Sequence, residues 1–149
     1  MSSEKNKRLV LDFLAYHLAD PQWVEEYVHD EFAMAYEADP QTFPRAAMPP
    51  LSKENLLAFG ETARRIWGTG EGAVRQTPYN GLVAEGDRVA VQVLVTGTDS
   101  DGKELRNRTS YFLQIKDGRI YRIWLHEDTA YIMATWSSEV EDLDCNRVE

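Results

Sequence analysis

Near its C-terminus the chain reads RIWLHEDTAYIM, residues 122–133, where His126, Glu127 and Asp128 follow directly on Trp124 and Leu125. Strands disfavour acidic residues. A strand that ends this way is either a solvated, fraying end or an acid/base pair held over a pocket. Side chains two apart on a strand share a face, so His126 and Asp128 lie together and Glu127 points the other way. A carboxylate beside Trp, Phe and Leu loses solvation, which raises its pKa toward the range useful to a general acid or base. A histidine next to it titrates in the same range and can relay or donate a proton.

Such residues need elements to hold them. Val10, Phe13, Leu14 and His17 recur with the helical period and predict a helix over 3–18. Tyr16 and His17 close that helix, and one of them can face a pocket. Asp20 and Pro21 are an N-cap and first-turn pair for a second helix over 21–29. The segment EFAMAYE (31–37) alternates as a first strand. ADPQTFPRAAMPP (38–50) holds four of the six prolines and is a loop long enough for a lid or pocket rim. Ser52 caps a third helix over 53–67. Four strands follow, 74–84, 88–98, 104–115 and 119–128, separated by Gly- and Asp-containing turns suited to hairpins. A short helix over 129–136 ends the pattern. Helices first and strands after imply an α+β fold, one curved antiparallel sheet wrapped around N-terminal helices.

The two faces of that sheet differ. Odd positions (Val89, Val91, Val93; Tyr111, Leu113; Ile123, Leu125) are nearly all apolar. Even positions (Arg88, Gln92; Phe112, Gln114; Trp124, His126, Asp128) mix aromatic, polar and ionisable groups. In one arrangement the odd face packs on the helices and the even face meets water. In the other the even face lines a pocket, and the odd face becomes an exposed apolar patch that implies a dimer through the sheet. Alternation alone does not choose between them.

Composition bounds the rest. The chain has 149 residues, 43% of them apolar, which suits one domain with one core. No run of eighteen apolar residues is present, so no membrane span is expected. The formal net charge of −9 disfavours nucleic acid and anionic membrane as partners, since both select basic surfaces. The segment MSSEKNKR lacks the apolar stretch of a secretory signal, and the expected location is cytoplasmic. The lone cysteine, Cys145, allows neither an internal disulfide nor a cysteine metal cluster. His126 and His17 with Asp128 could imitate a metal site, but their spacing fits no metal-ligand motif, and no metal or other cofactor is expected. Residues 1–136 read as the single domain. Residues 137–149, SSEVEDLDCNRVE, carry five acids against one Arg and read as an acidic, disordered tail.

The stretch DGRIYRIWLHEDTA resembles the closing strand of the nuclear transport factor 2-like cone superfamily, in particular its SnoaL-like polyketide cyclase, limonene epoxide hydrolase and steroid isomerase branches. The order of elements, the early ADPQWVEEYVHDEF and the turn EGDRVAV resemble it too, over roughly residues 5–136. The resemblance implies a cone enclosing an apolar pocket, with the closing Asp pointing inward, which selects the even face as lining. For the SnoaL-like branch it implies Asp128 as acid/base residue. That branch's polar partner falls near Gln114, where a His is expected, so His126 becomes the substitute. The epoxide hydrolase array is met at Arg88 and Asp128 but broken at Ala90. The steroid isomerase positions fall on Tyr36 and Asp12, which do not suit that activity.

The resulting expectation is cofactor-free cyclisation, isomerisation or dehydration of a small hydrophobic, cyclic compound by a homodimeric cone protein. Asp128 is the general base and His126 its proton partner. Gln114 and Gln92 orient the substrate, Trp124 and Phe112 wall the pocket, and Arg88, Tyr16 and His17 border it. The alternatives are a non-catalytic small-molecule-binding or dimerisation domain and, behind it, an epoxide hydrolase.

Overall fold

The computed structural model describes residues 2–137 and 139. Helix α1 (Ser3–Tyr16) starts where Ser2 accepts the Lys5 amide, and it buries Val10, Phe13 and Leu14 on one stripe. Asp20 caps the short α2 (Pro21–Tyr27) by accepting the Gln22 amide at 3.0 Å. Strand β1 (Val28–Tyr36) follows, then a loop with one 3₁₀ turn at Pro44–Ala47. Helix α3 (Lys53–Trp67) begins with a reciprocal cap: Ser52 Oγ accepts the Asn55 amide at 3.1 Å and Asn55 Oδ1 accepts the Ser52 amide at 3.0 Å. Strands β2 (Arg75–Glu85), β3 (Arg88–Thr98), β4 (Glu104–Lys116) and β5 (Arg119–Glu127) and helix α4 (Thr129–Thr135) complete the order. The α+β class expected from the sequence is the one observed.

The five strands form one sheet in the order β1-β5-β4-β3-β2. β2 to β5 are an antiparallel meander, as their turns predict. β1 departs from the antiparallel expectation and pairs in parallel with β5. A parallel partner needs a long crossover, and here it comprises the proline-rich loop, α3 and three strands.

The helices cover the odd face of the sheet. Val89, Val91 and Val93 on β3, Leu113 and Ile115 on β4 and Ile123 and Leu125 on β5 are each at most 4% exposed. The even face is turned outward: Phe112 is 48% exposed, and Gln92 and His126 are exposed. The arrangement with the even face as pocket lining is therefore reversed. The side chosen is the one that meets α1 and α3, and those contacts are set by the chain's long-range path rather than by alternation. The exposed odd-face patch from which a dimer was argued is buried core. Among the described residues no helix is long and apolar enough to cross a membrane. Residues 138 and 140–149, most of the acidic segment and Cys145 with it, lie outside the described residues.

Candidate functional site

Between the odd face of the sheet and α1, α3 and α4 lies a cavity of ≈ 90 Å³. Its wall is mostly apolar, with Met34 from β1, Leu56, Phe59, Ala63 and Trp67 from α3, Val95 from β3, and Ile132 and Trp136 from the C-terminal helix region. Into this wall the sheet sets a graded band of polar groups. Cross-strand register places Gln76, Val95 and Asn107 in one row and Thr109 beside Glu127 in the next. Tyr111, Leu125 and Tyr36 make the third. All of these except Val95 and Leu125 carry polar atoms, and all line the cavity.

One end of the cavity is ionic. The proline-rich loop returns to the sheet and delivers Arg45, only 6% exposed, against Glu127, whose side chain is 12% exposed, at 3.5 Å between Nη1 and Oε2. Arg45 Nη2 also donates to the Tyr36 hydroxyl, and its guanidinium lies 4.2 Å from the centre of the Tyr36 ring. Phe43, 1% exposed, packs edge-on against Tyr36 and anchors the loop. Tyr111 sits beside this pair. Burial foremost, then the negative charge of Glu127, pushes its phenol pKa well up, so it stays protonated. Its oxygen accepts from Gln76 Nε2 at 2.7 Å.

At α1, His17 is 6% exposed and stacks on Phe13 with ring centroids 4.0 Å apart. Its Nδ1 lies 2.8 Å from the Phe13 carbonyl. A carbonyl only accepts, so Nδ1 carries the proton and the neutral ring leaves Nε2 as an acceptor. Burial lowers the His17 pKa to about 4, against the smaller opposing effect of the Phe13 carbonyl.

Three further polar atoms of the wall have no hydrogen-bond partner among the described residues: Gln76 Oε1, Asn107 Oδ1 and Trp67 Nε1. Each is buried, and unpaired buried polar atoms are costly enough to be rare in folded proteins.

Of the nine site residues named from the sequence, His17 lines this cavity and the other eight do not. Asp128 is exposed and caps α4, accepting the Tyr131 amide at 3.1 Å. His126 is exposed and meets the half-exposed Phe112 edge-on at 5.7 Å on the outer face. Trp124 shares that face, with the Arg88 guanidinium 5.1 Å from its ring centre. Gln92 accepts from Asn80, and Gln114 donates to Asp87. Tyr16, 48% exposed, leans on Trp23 at the surface. The strand end thus keeps the expected split of Glu127 from His126 and Asp128, with inside and outside exchanged. Glu127, read from the sequence as facing away from the pair, and Arg45, Tyr111 and Asn107 were not named as site residues from the sequence. The available signal was polarity on an apolar face: Asn107, Thr109 and Glu127 break the odd-position run at one end. No group of three His, Cys, Asp or Glu able to hold a metal occurs among the described residues.

No protein-family model matches the chain, and no curated protein matches it. Solved structures do. A candidate SnoaL-like polyketide cyclase from Jannaschia sp. CCS1 superposes with TM-score 0.70 at 15% identity, over 91% of this chain and 94% of that one. IdmH, a candidate polyketide cyclase from Streptomyces antibioticus, gives 0.65 at 16% identity, over 91% and 98%. An NTF2-like protein of unknown function from Burkholderia pseudomallei K96243 gives 0.67 at 17% identity, over 91% and 98%. The fold is the NTF2-like cone.

Proposed function

We propose that the cone cavity binds a small, largely hydrophobic molecule and performs acid/base chemistry on it, with Glu127 as the proton-transfer group. The observation that carries this reading is the Arg45–Glu127 pair, buried in the wall of an otherwise apolar cavity. Burying an ion pair costs desolvation that its own attraction barely offsets, and ionisable groups buried in a cleft are candidates for a functional site. Similarity in fold to candidate polyketide cyclases supports the reading.

The chemistry follows from which groups hold protons. Glu127 removes a proton from carbon next to a substrate carbonyl, and the electron pair passes to the carbonyl oxygen. Tyr111, kept protonated by burial, donates a hydrogen bond to that oxygen, and Arg45 balances the charge. Return of the proton to a different carbon completes an isomerisation. Loss of a β-hydroxyl, which takes the proton held by Glu127 and leaves as water, completes a dehydration, and attack of the enolate carbon on a second carbonyl, whose oxygen takes that proton, closes a ring. The cavity of ≈ 90 Å³ is smaller than an apolar cavity of about 150 Å³ that holds benzene. The buried part of the substrate is therefore a single small ring or the end of a larger molecule. Turnover of small cyclic ketones and hydroxyketones should fall about 10²–10⁴-fold in Glu127→Gln. Binding without turnover in wild type would favour the non-catalytic binding reading, and unchanged turnover in the variant would remove Glu127 from the mechanism.

For assembly, we propose a homodimer through the outer face of the sheet, where Phe112 and Val83 are 48% and 70% exposed beside Trp124. Sedimentation should show a dimer that Phe112→Lys converts to monomer; a monomeric wild type refutes it.

A further inference from the structure

The unpartnered atoms of the cavity wall say what the bound molecule carries. Asn107 Oδ1 and Gln76 Oε1 are acceptors and Trp67 Nε1 is a donor. They belong to one end of the cavity. Gln76 and Asn107 flank Val95 in one cross-strand row. Trp67 lies over the next inward position of β3, because a Cβ on Gly97 would meet its Cδ1 at 3.2 Å. Cδ1 is bonded to Nε1, so Gly97 is what lets the N–H edge of the indole approach the sheet. Gly97 pairs with Leu105, two residues along β4 from Asn107. Asn107 and Trp67 are 3% and 8% exposed, so bulk water does not pair them.

We propose that Asn107, Gln76 and Trp67 are the recognition end of the cavity and select a neutral ring bearing a hydroxyl group. This rests on the small-molecule reading above but not on its catalytic step. A hydroxyl donates its proton to Asn107 or Gln76 and accepts from Trp67 with a lone pair. An alkylammonium donates but cannot accept from Trp67. A carboxylate accepts but sets its charge against two carbonyl oxygens. A methyl group leaves all three atoms unpaired, which is the situation in which a site built for hydrogen bonding rejects a close analogue. The hydroxyl end then fixes the ring so that its other side faces Glu127 and Tyr111.

The test is binding by NMR shift perturbation, using cyclopentanol, methylcyclopentane and cyclopentylamine as probes. The alcohol should bind wild type about tenfold more tightly than either analogue. Asn107→Leu and Trp67→Phe should each remove most of that preference, whereas Glu127→Gln should keep it. Asn107→Leu should also raise Tm by about 3 °C, since it removes a buried carbonyl oxygen that has no hydrogen-bond partner. A structural asparagine would instead lose stability. Equal binding of alcohol and methyl analogue, a preference that survives in Asn107→Leu, a fall in Tm in that variant, or no binding by any probe would each overturn the proposal. Because Glu127→Gln retains the alcohol preference, loss of turnover in that variant speaks only to the catalytic reading.

Discussion

Two ion pairs on opposite faces of the same sheet have nearly the same length. Arg45 and Glu127 on the inner face approach to 3.5 Å, and Arg88 and Asp87 on the outer edge to 3.6 Å. Their surroundings differ: the inner side chains are 6% and 12% exposed, the outer ones 59% and 55%. Separation therefore says little about what each pair does. Water screens the outer charges and leaves them a fraction of a kcal/mol. The inner charges have given up their hydration and depend on each other. The same contrast holds for two of the three histidines, His17 stacked on Phe13 in the cavity wall and His126 in the open. The proposed chemistry is assigned to the face where removing one partner is expensive.

The comparison can be broken most decisively at Arg45. Arg45→Met removes the cation beside the buried Glu127 carboxylate and should cost about 3–5 kcal/mol in urea unfolding. Adding Glu127→Leu should recover most of that loss, while Arg88→Met should change stability by less than about 1 kcal/mol. Equal costs for Arg45→Met and Arg88→Met would erase the distinction between the faces.

The next effect is at His17. Its folded pKa of about 4 lies below the ordinary 6.5, so between these values the unfolded chain binds more protons. Its contribution is complete above about pH 6.5 and is lost as pH falls toward 4, by roughly 3 kcal/mol in all. Unfolding free energies of wild type and His17→Phe at pH 7.5 and 4.5 should diverge accordingly. Parallel curves would mean that the ring is not held neutral.

The smallest effect sharpens the outer face. Asp128→Ala should cost about 1 kcal/mol by removing the α4 cap, and Asp128→Asn, which still caps, should keep both stability and turnover. Loss of turnover in Asp128→Asn would return the chemistry to the outer end of the strand.

Much of this architecture was legible in local sequence. Ser52 and the Gly after Trp67 bound α3, and each Gly/Asp turn marks a hairpin of the meander. The inward face was not legible, because both parities of β3 to β5 hold enough apolar residues to pack, and the choice rests on helices and a parallel β1 contact far away in sequence. Arg45 was hidden for a related reason: a cation in a proline-rich loop has no periodicity, and only the folded path brings it to Glu127. His17 was visible because its neighbours Val10, Phe13 and Leu14 already defined a buried stripe. The resemblance of the closing strand led to the correct fold, while the inward aspartate it implied occupies a helix cap in this chain.

The parallel seam between β1 and β5 also governs when the fold can be completed. Met34 pairs with Ile123 in the neighbouring strand, so β1 lacks that neighbour until β5, about ninety residues later, has been synthesised. The meander can form from adjacent hairpins, which close quickly, but joining β1 to it requires a long loop to close, and such contacts slow folding. During translation β1 is thus an unpaired apolar strand, open to association with other chains. The charges that interrupt it, Asp30 and Glu31, are exposed in the finished fold and are the kind of residue that discourages such pairing while β5 is still to come.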